Sequence, residues 1–194
     1  DLGQRFGASP TVIGLLFASF GVTVLAVSVP MGAISDRTGR TVPLVVGMVV
    51  LAASTVMFAF ASRMLWLFAA RLAQGAADAV TWVVGFALIA DLYSAEERGR
   101  VMGLVMSGTT FGFMVGPALG GWLYENGGAR MPYLAVAALA LACAVGFLWL
   151  RPPAAAAAHD PVPLRTVART PAVAVCAMAV VVGGGTLAML EPVF

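Results

Sequence analysis

The chain has 194 residues, 61% of them hydrophobic and 10% charged, with a mean hydropathy of +0.97 and a formal net charge of +2. Soluble domains carry about 25% charged residues, so this composition excludes a soluble globular enzyme and indicates an all-α integral membrane protein. Its small net charge offers no basic surface for a nucleic-acid partner.

Six apolar runs follow one another at 10–34, 43–61, 64–90, 99–124, 131–150 and 171–191. Each is close to the ~20 residues a helix needs to cross a bilayer. The stretch 151–170, with four prolines, a run of alanines and His159, reads as a linker, and His159 as a solvated loop residue. The organisation expected is therefore 1–150 as one helical unit, 151–170 as a linker and 171–194 as the start of a second unit.

The first two runs meet at PMGAISDRTGR, residues 30–40. Asp36, Arg37 and Arg40 make it a charged turn at a water interface. Gly39 permits a positive φ there, and Gly32 lets another helix approach. Asp36 at a helix end is suited to pairing with an arginine, and Arg98 or Arg100 stands at a matching position in a later loop.

The third run is the most polar. Arg71, Gln74, Asp78 and Trp82 recur at helical spacing and share one face. Arg71, near the run's beginning, can snorkel to the interface, whereas Asp78 lies near the middle and cannot. An ionised side chain at that depth costs roughly 2.5–3.5 kcal/mol on insertion scales, which directs Asp78 to a wet cavity or another helix. A route from Asp78 through Gln74 to Arg71 is one arrangement the spacing permits. Trp82 and Phe86 fit a binding pocket and plain packing equally well.

In the fourth run Gly108, Gly112, Gly116 and Gly120 recur every fourth residue, with Pro117 and Gly121 beside them. Such a ladder suits very close helix packing, and Pro117 is expected to kink the helix. Cys143 and Cys176 fall inside apolar runs and read as small core residues, with no disulfide, metal or cofactor indicated. The sixth run closes on MLEP, where Glu191 precedes Pro192. The distance from Pro171 fits either an interface position for Glu191 or a broken helix lining a cavity.

Seven arginines (37, 40, 98, 100, 151, 165 and 169) fall on one side of this topology and three (5, 63 and 130) on the other. The positive-inside rule then places 31–42, 91–99 and 151–170 in the cytoplasm. Residues 1–9 are then expected outside, which calls for either an earlier span in a longer protein or an unusual exported N-terminus, and the earlier span is the reading favoured.

Three strings carry a family resemblance. The turn with Gly32, Asp36, Arg37, Gly39 and Arg40 resembles motif A of the major facilitator superfamily, with Ile34 and Thr41 departing from the usual pattern. RLAQG, residues 71–75, resembles motif B, from which Asp78 departs. GFMVGPALGG, residues 112–121, carries Gly112, Gly116, Pro117, Gly120 and Gly121 in the pattern of motif C, the antiporter signature. STVMFAF at 54–60, EERG at 96–99 and MLEP at 189–192 are similar to vesicular monoamine transporters and bacterial multidrug efflux relatives.

The resemblance implies the second to seventh helices of a twelve-helix transporter, with 1–150 as most of the first six-helix half. The first helix and the second half belong to the rest of the same protein. It further implies proton-coupled antiport of small organic cations or drugs, with Glu191 in proton coupling or cation recognition and motif A as a cytoplasmic latch. Its partners are then the substrate, protons and lipid. Proton symport of a metabolite and a relative that has lost transport are the alternatives within this fold. An intramembrane enzyme is a poor fit: there is no histidine in a span, no H-E-x-x-H string, and no second aspartate placed against Asp78.

Overall fold

A computed structural model describes residues 7–150. They form α1 (Pro10–Thr38), α2 (Thr41–Ala59), α3 (Met64–Leu92), α4 (Ala95–Gly127) and α5 (Met131–Leu150), joined by short turns. All five are long and apolar enough to cross a membrane. The sixth run, the linker, Glu191, Cys176 and His159 lie outside the described residues.

Helices α1, α3 and α4 outrun the apolar stretches that announced them, α2 begins and ends two residues earlier than its run, and α5 coincides with its run. Ser9 starts α1, its hydroxyl accepting the Val12 N–H, with Pro10 in the first turn where no donor is lost. The helix then continues through Pro30, Gly32 and Asp36 and stops only at Gly39, whose φ of 82° an L side chain rarely adopts. The charged turn is thus much shorter than 30–40. Its polar residues ride on the last turns of α1, and Pro43 already belongs to α2. At the start of α4, Ser94 donates to Glu97, and two acidic residues occupy the first turn, where the helix dipole favours them. Helix α4 runs unbroken through Pro117 to Gly128, a second positive-φ stop.

Hydroxyls inside the spans are satisfied locally. Ser19, Thr23, Ser28, Ser54 and Thr81 each donate to a carbonyl three or four residues back, which removes an otherwise costly orphan donor in lipid.

Helix α3 is the axis of the bundle. Helix α1 packs along one side of it and α2 along another, while α5 lies on the far side of α2. At the end where α3 begins, Leu16, Phe58, Leu67 and Ala70 form a core with Tyr133 of α5 against it. At the opposite end, Leu44, Val80, Val84 and Leu88 pack with Val27 and Met31. Alanines make the α2–α5 seam, Ala52 against Ala137 and Ala140. In lipid the hydrophobic effect does not drive helices together, and small residues that let backbones approach take over that role.

The tightest approach of a glycine to the backbone of another helix is at Gly75. A Cβ built there would stand 2.5 Å from the Phe20 carbonyl oxygen of α1. Gly47 of α2 is nearly as crowded, its virtual Cβ 2.9 Å from Val80 of α3. The glycine ladder of α4 behaves otherwise. Among the described residues nothing lies within 4 Å of a Cβ at Gly108, Gly112, Gly116, Gly120 or Gly121, and α4 buries no residue. Close packing by this ladder is therefore absent within the described bundle. Cys143 is likewise exposed, not a core residue.

Candidate functional site: a polar stripe on α3 and an ion-pair cluster at its end

Helix α3 runs from Met64 to Leu92, so Asp78 is its middle residue, fourteen from each end. Arg71, Gln74, Asp78 and Trp82 do lie along one face, all partly buried. Their surroundings differ.

Arg71 does not snorkel outward. Its guanidinium carbon lies 5.1 Å from the ring centroid of Phe17 on α1 and 5.1 Å from that of Phe58 on α2, and its Nε is buried. Two rings around one guanidinium offset part of its desolvation, since each aromatic face presents negative charge to the cation. Gln74 reaches across to α2, its amide donating to the Thr55 hydroxyl over a long 3.5 Å. Asp78 has Trp82 one turn further along the same helix. Gln74 thus contacts Thr55 of α2, outside the expected route from Asp78 to Arg71. The Trp82 ring in turn lies 5.3 Å from Phe86, tilted by 45°. Phe17 and Phe58 carried no signal in the sequence, because each sits in an unbroken apolar run.

At the end of the bundle where α1 meets α2, the charged cluster also differs from expectation. Asp36 pairs with Arg40 at 2.6 Å, not with Arg98 or Arg100. Arg40 Nε donates to Asp91 at 2.8 Å, and Arg40 also donates to the buried Ser35 hydroxyl at 2.7 Å. One guanidinium thus ties the end of α1, the start of α2 and the end of α3. The Arg40 side chain is 11% exposed, that of Asp91 23% and that of Asp36 54%, so Asp91 is the better shielded partner. Burial alone would lower the Arg40 pKa. The hydrogen bonds and charges of Asp91 and Asp36 outweigh it, and Arg40 is held above the ordinary arginine value.

Arg98 serves the neighbouring turn. Its guanidinium donates to the carbonyls of Tyr93 and Ala90 at 3.0 and 2.5 Å, satisfying acceptors that the end of α3 leaves open. Asp91 is the member of this cluster that sequence reasoning passed over as part of a loop. The available signal was an acid at the end of a span facing the turn that carries Arg40. Glu191, placed in the candidate site by resemblance, lies outside the described residues.

The arrangement therefore has two parts. A mid-span carboxylate shares a face with an arginine held between two aromatic rings, and an interhelical ion-pair cluster stands at one end of the same helix.

The chain is 42% identical over 187 residues to the vesicular acetylcholine transporters of Rattus norvegicus and Homo sapiens, covering 93% of this chain and 35% of each relative. It is 34% identical over 183 residues to the synaptic vesicular amine transporter of Homo sapiens, covering 93% of this chain and 36% of that protein. The chain thus spans about a third of the length of the curated relatives it matches. The family model of the Major Facilitator Superfamily matches residues 1–194, and the chain belongs to that superfamily.

Proposed function

We propose that the protein carrying this chain is a proton-coupled antiporter that exports small organic cations or drugs across the cell membrane. The observation that carries this reading is Asp78, a carboxylate at the middle of a membrane-length helix, in a chain similar to proteins named for carrying acetylcholine and amines. Acetylcholine is a permanent cation and amines are cationic when protonated, so an intramembrane acid is the matching chemistry.

Glu191 is the candidate proton-coupling and cation-recognition group, with Asp78, Arg71, Gln74 and Trp82 as accessory groups in the first half. Alternating access comes from rocking of two six-helix halves, of which 1–150 is most of the first. Gly32, Asp36, Arg37, Gly39 and Arg40 act as a cytoplasmic latch, with Asp91 as the group on α3 that Arg40 engages. The motif C string at Gly112, Gly116, Pro117, Gly120 and Gly121 favours antiport over symport. No cofactor takes part. The stretches 31–42, 91–99 and 151–170 face the cytoplasm.

The test uses the complete transporter in inverted membrane vesicles. With a proton gradient imposed, addition of an organic cation such as tetraphenylphosphonium should dissipate it, and Glu191→Gln should abolish the dissipation at unchanged expression. Dissipation that persists in Glu191→Gln refutes the role of Glu191. Its absence in the unsubstituted protein refutes antiport of cations.

A further inference from the structure

Ser35 lies on the last turns of α1, four residues before the Gly39 stop, and is only 1% exposed. Its hydroxyl donates to the Gly32 carbonyl at 2.9 Å, as those of Ser19 and Ser54 do to the third carbonyl back. A bond of that kind satisfies a serine in a span. Ser35 has a second one, because its oxygen also accepts from Nη1 of Arg40 at 2.7 Å.

The two bonds use different parts of the hydroxyl. It has one proton and two lone pairs, so the bond to Gly32 fixes the proton and leaves the lone pairs to Arg40. Gly39, at φ 82°, turns the chain so that the Arg40 side chain meets the last turns of α1. Nη1 is shared between Ser35 at 2.7 Å and Asp36 at 2.6 Å, while Nε donates to Asp91 of α3 at 2.8 Å. A guanidinium is planar and rigid, so anchoring Nη1 sets the direction of Nε. Asp36 has 54% of its side chain exposed and can follow Arg40 outward into water. The buried Ser35 cannot, and it holds the guanidinium inward.

We propose that Ser35 is a positioning residue of the cytoplasmic latch, its buried hydroxyl seating the Arg40 guanidinium so that Nε meets Asp91. The inference rests on the latch reading above and adds to it a residue with no charge of its own. Without the hydroxyl, Arg40 keeps Asp36 and gains a solvent-facing pose in which Asp91 is released.

The experiment follows the Arg40 Nε–H proton by NMR in the complete transporter, carrying isotope-labelled arginine and held in lipid nanodiscs. The signal is identified by its loss in Arg40→Lys. Ser35→Ala should speed exchange of that proton with solvent at least about tenfold, the equivalent of one hydrogen bond to a charged group. Alanine is the best helix former, so α1 persists through the substitution. Asp91→Asn should speed exchange as well. Ser35→Ala added to Asp91→Asn should change it by less than about twofold, since the contact that Ser35 positions is already gone, whereas independent residues multiply their effects. Dissipation of the proton gradient by tetraphenylphosphonium should slow several-fold in both single variants.

Unchanged exchange in Ser35→Ala, with dissipation still slowed in Asp91→Asn, overturns the role of Ser35 and leaves the latch standing. Effects that multiply in the double variant would mean that Ser35 only packs, and overturn the proposal too. Faster exchange in both single variants at an undiminished rate of dissipation keeps Ser35 as the seat of Arg40 and sinks the latch.

Discussion

Arg40 is the residue on which three helices depend. Its partners Asp36 and Asp91 differ in shielding, which sets an order for their removal. Asp36, with half its side chain in solvent, belongs with surface pairs worth about 0–1 kcal/mol. Asp91 is less than a quarter exposed and holds a hydrogen bond from the ε nitrogen, in the range of about 1–3 kcal/mol for such bonds to charged groups. Thermal unfolding of the complete transporter in detergent should therefore show a larger drop in Tm for Asp91→Asn than for Asp36→Asn. The reverse order would mean that Asp36 is the principal anchor of Arg40. Arg40 and Asp91 are 51 residues apart, and no local pattern joins them. Asp36 and Arg40 stand four apart and do pair, yet the sequence directed Asp36 to a distant arginine. Helix α1 extends to Thr38, beyond the apolar run, and so carries Asp36 to within a turn of Arg40.

At the scale of the helices, two sets of glycines separate packing from its sequence signal. The ladder on α4 has the more conspicuous spacing, while Gly75 on α3 stands closest to the backbone of another helix. A side chain at Gly75 would meet the Phe20 carbonyl oxygen, a backbone atom that yields only if α1 moves as a whole. Gly75→Val should cost about 1–3 kcal/mol by overpacking, read as a fall in Tm, and should loosen α1 from α3. Gly112→Ala meets open space among the described residues and should leave the α1–α3 contact untouched. Crosslinking between cysteines placed on α1 and α3 distinguishes the two, since it should fall only for Gly75→Val. Equal crosslinking in Gly75→Val would show that the helices have room at Phe20. Span existence was legible because run length measures membrane thickness directly. Helix ends were less so, since Ser35, Asp36 and Ser94 are polar and read as loop while the backbone stays helical or caps a helix. The stripe on α3 was legible from its period. Its partners were not, because Phe17 and Phe58 are apolar residues in apolar runs and only packing selects them.

Across the whole molecule, the distribution of arginine is the ground for proposing which end of the bundle faces the cytoplasm. The α1–α2 turn and the α3–α4 turn lie at the same end, since successive helices alternate in direction. That end holds Arg37, Arg40, Arg98 and Arg100, against Arg63 and Arg130 at the other. Arg130 is engaged there, its guanidinium 4.6 Å from the Phe60 ring centroid, which ties the α4–α5 turn to the end of α2. At the arginine-rich end, Arg40 and Arg98 are bound to carboxylates and carbonyls, so their charge is fixed in place and not free to cross with a mobile loop. The positive-inside rule makes that end the expected cytoplasmic one. Single cysteines at Thr38 and at Ser62, introduced after replacing Cys143 and Cys176 with alanine, should report this in intact cells. A membrane-impermeant maleimide should label position 62 and spare position 38 until the cells are opened. Labelling of position 38 in intact cells would invert the bundle. The ion-pair cluster of Arg40 and Asp91 would then face away from the cytoplasm, and its role as a cytoplasmic latch would be lost.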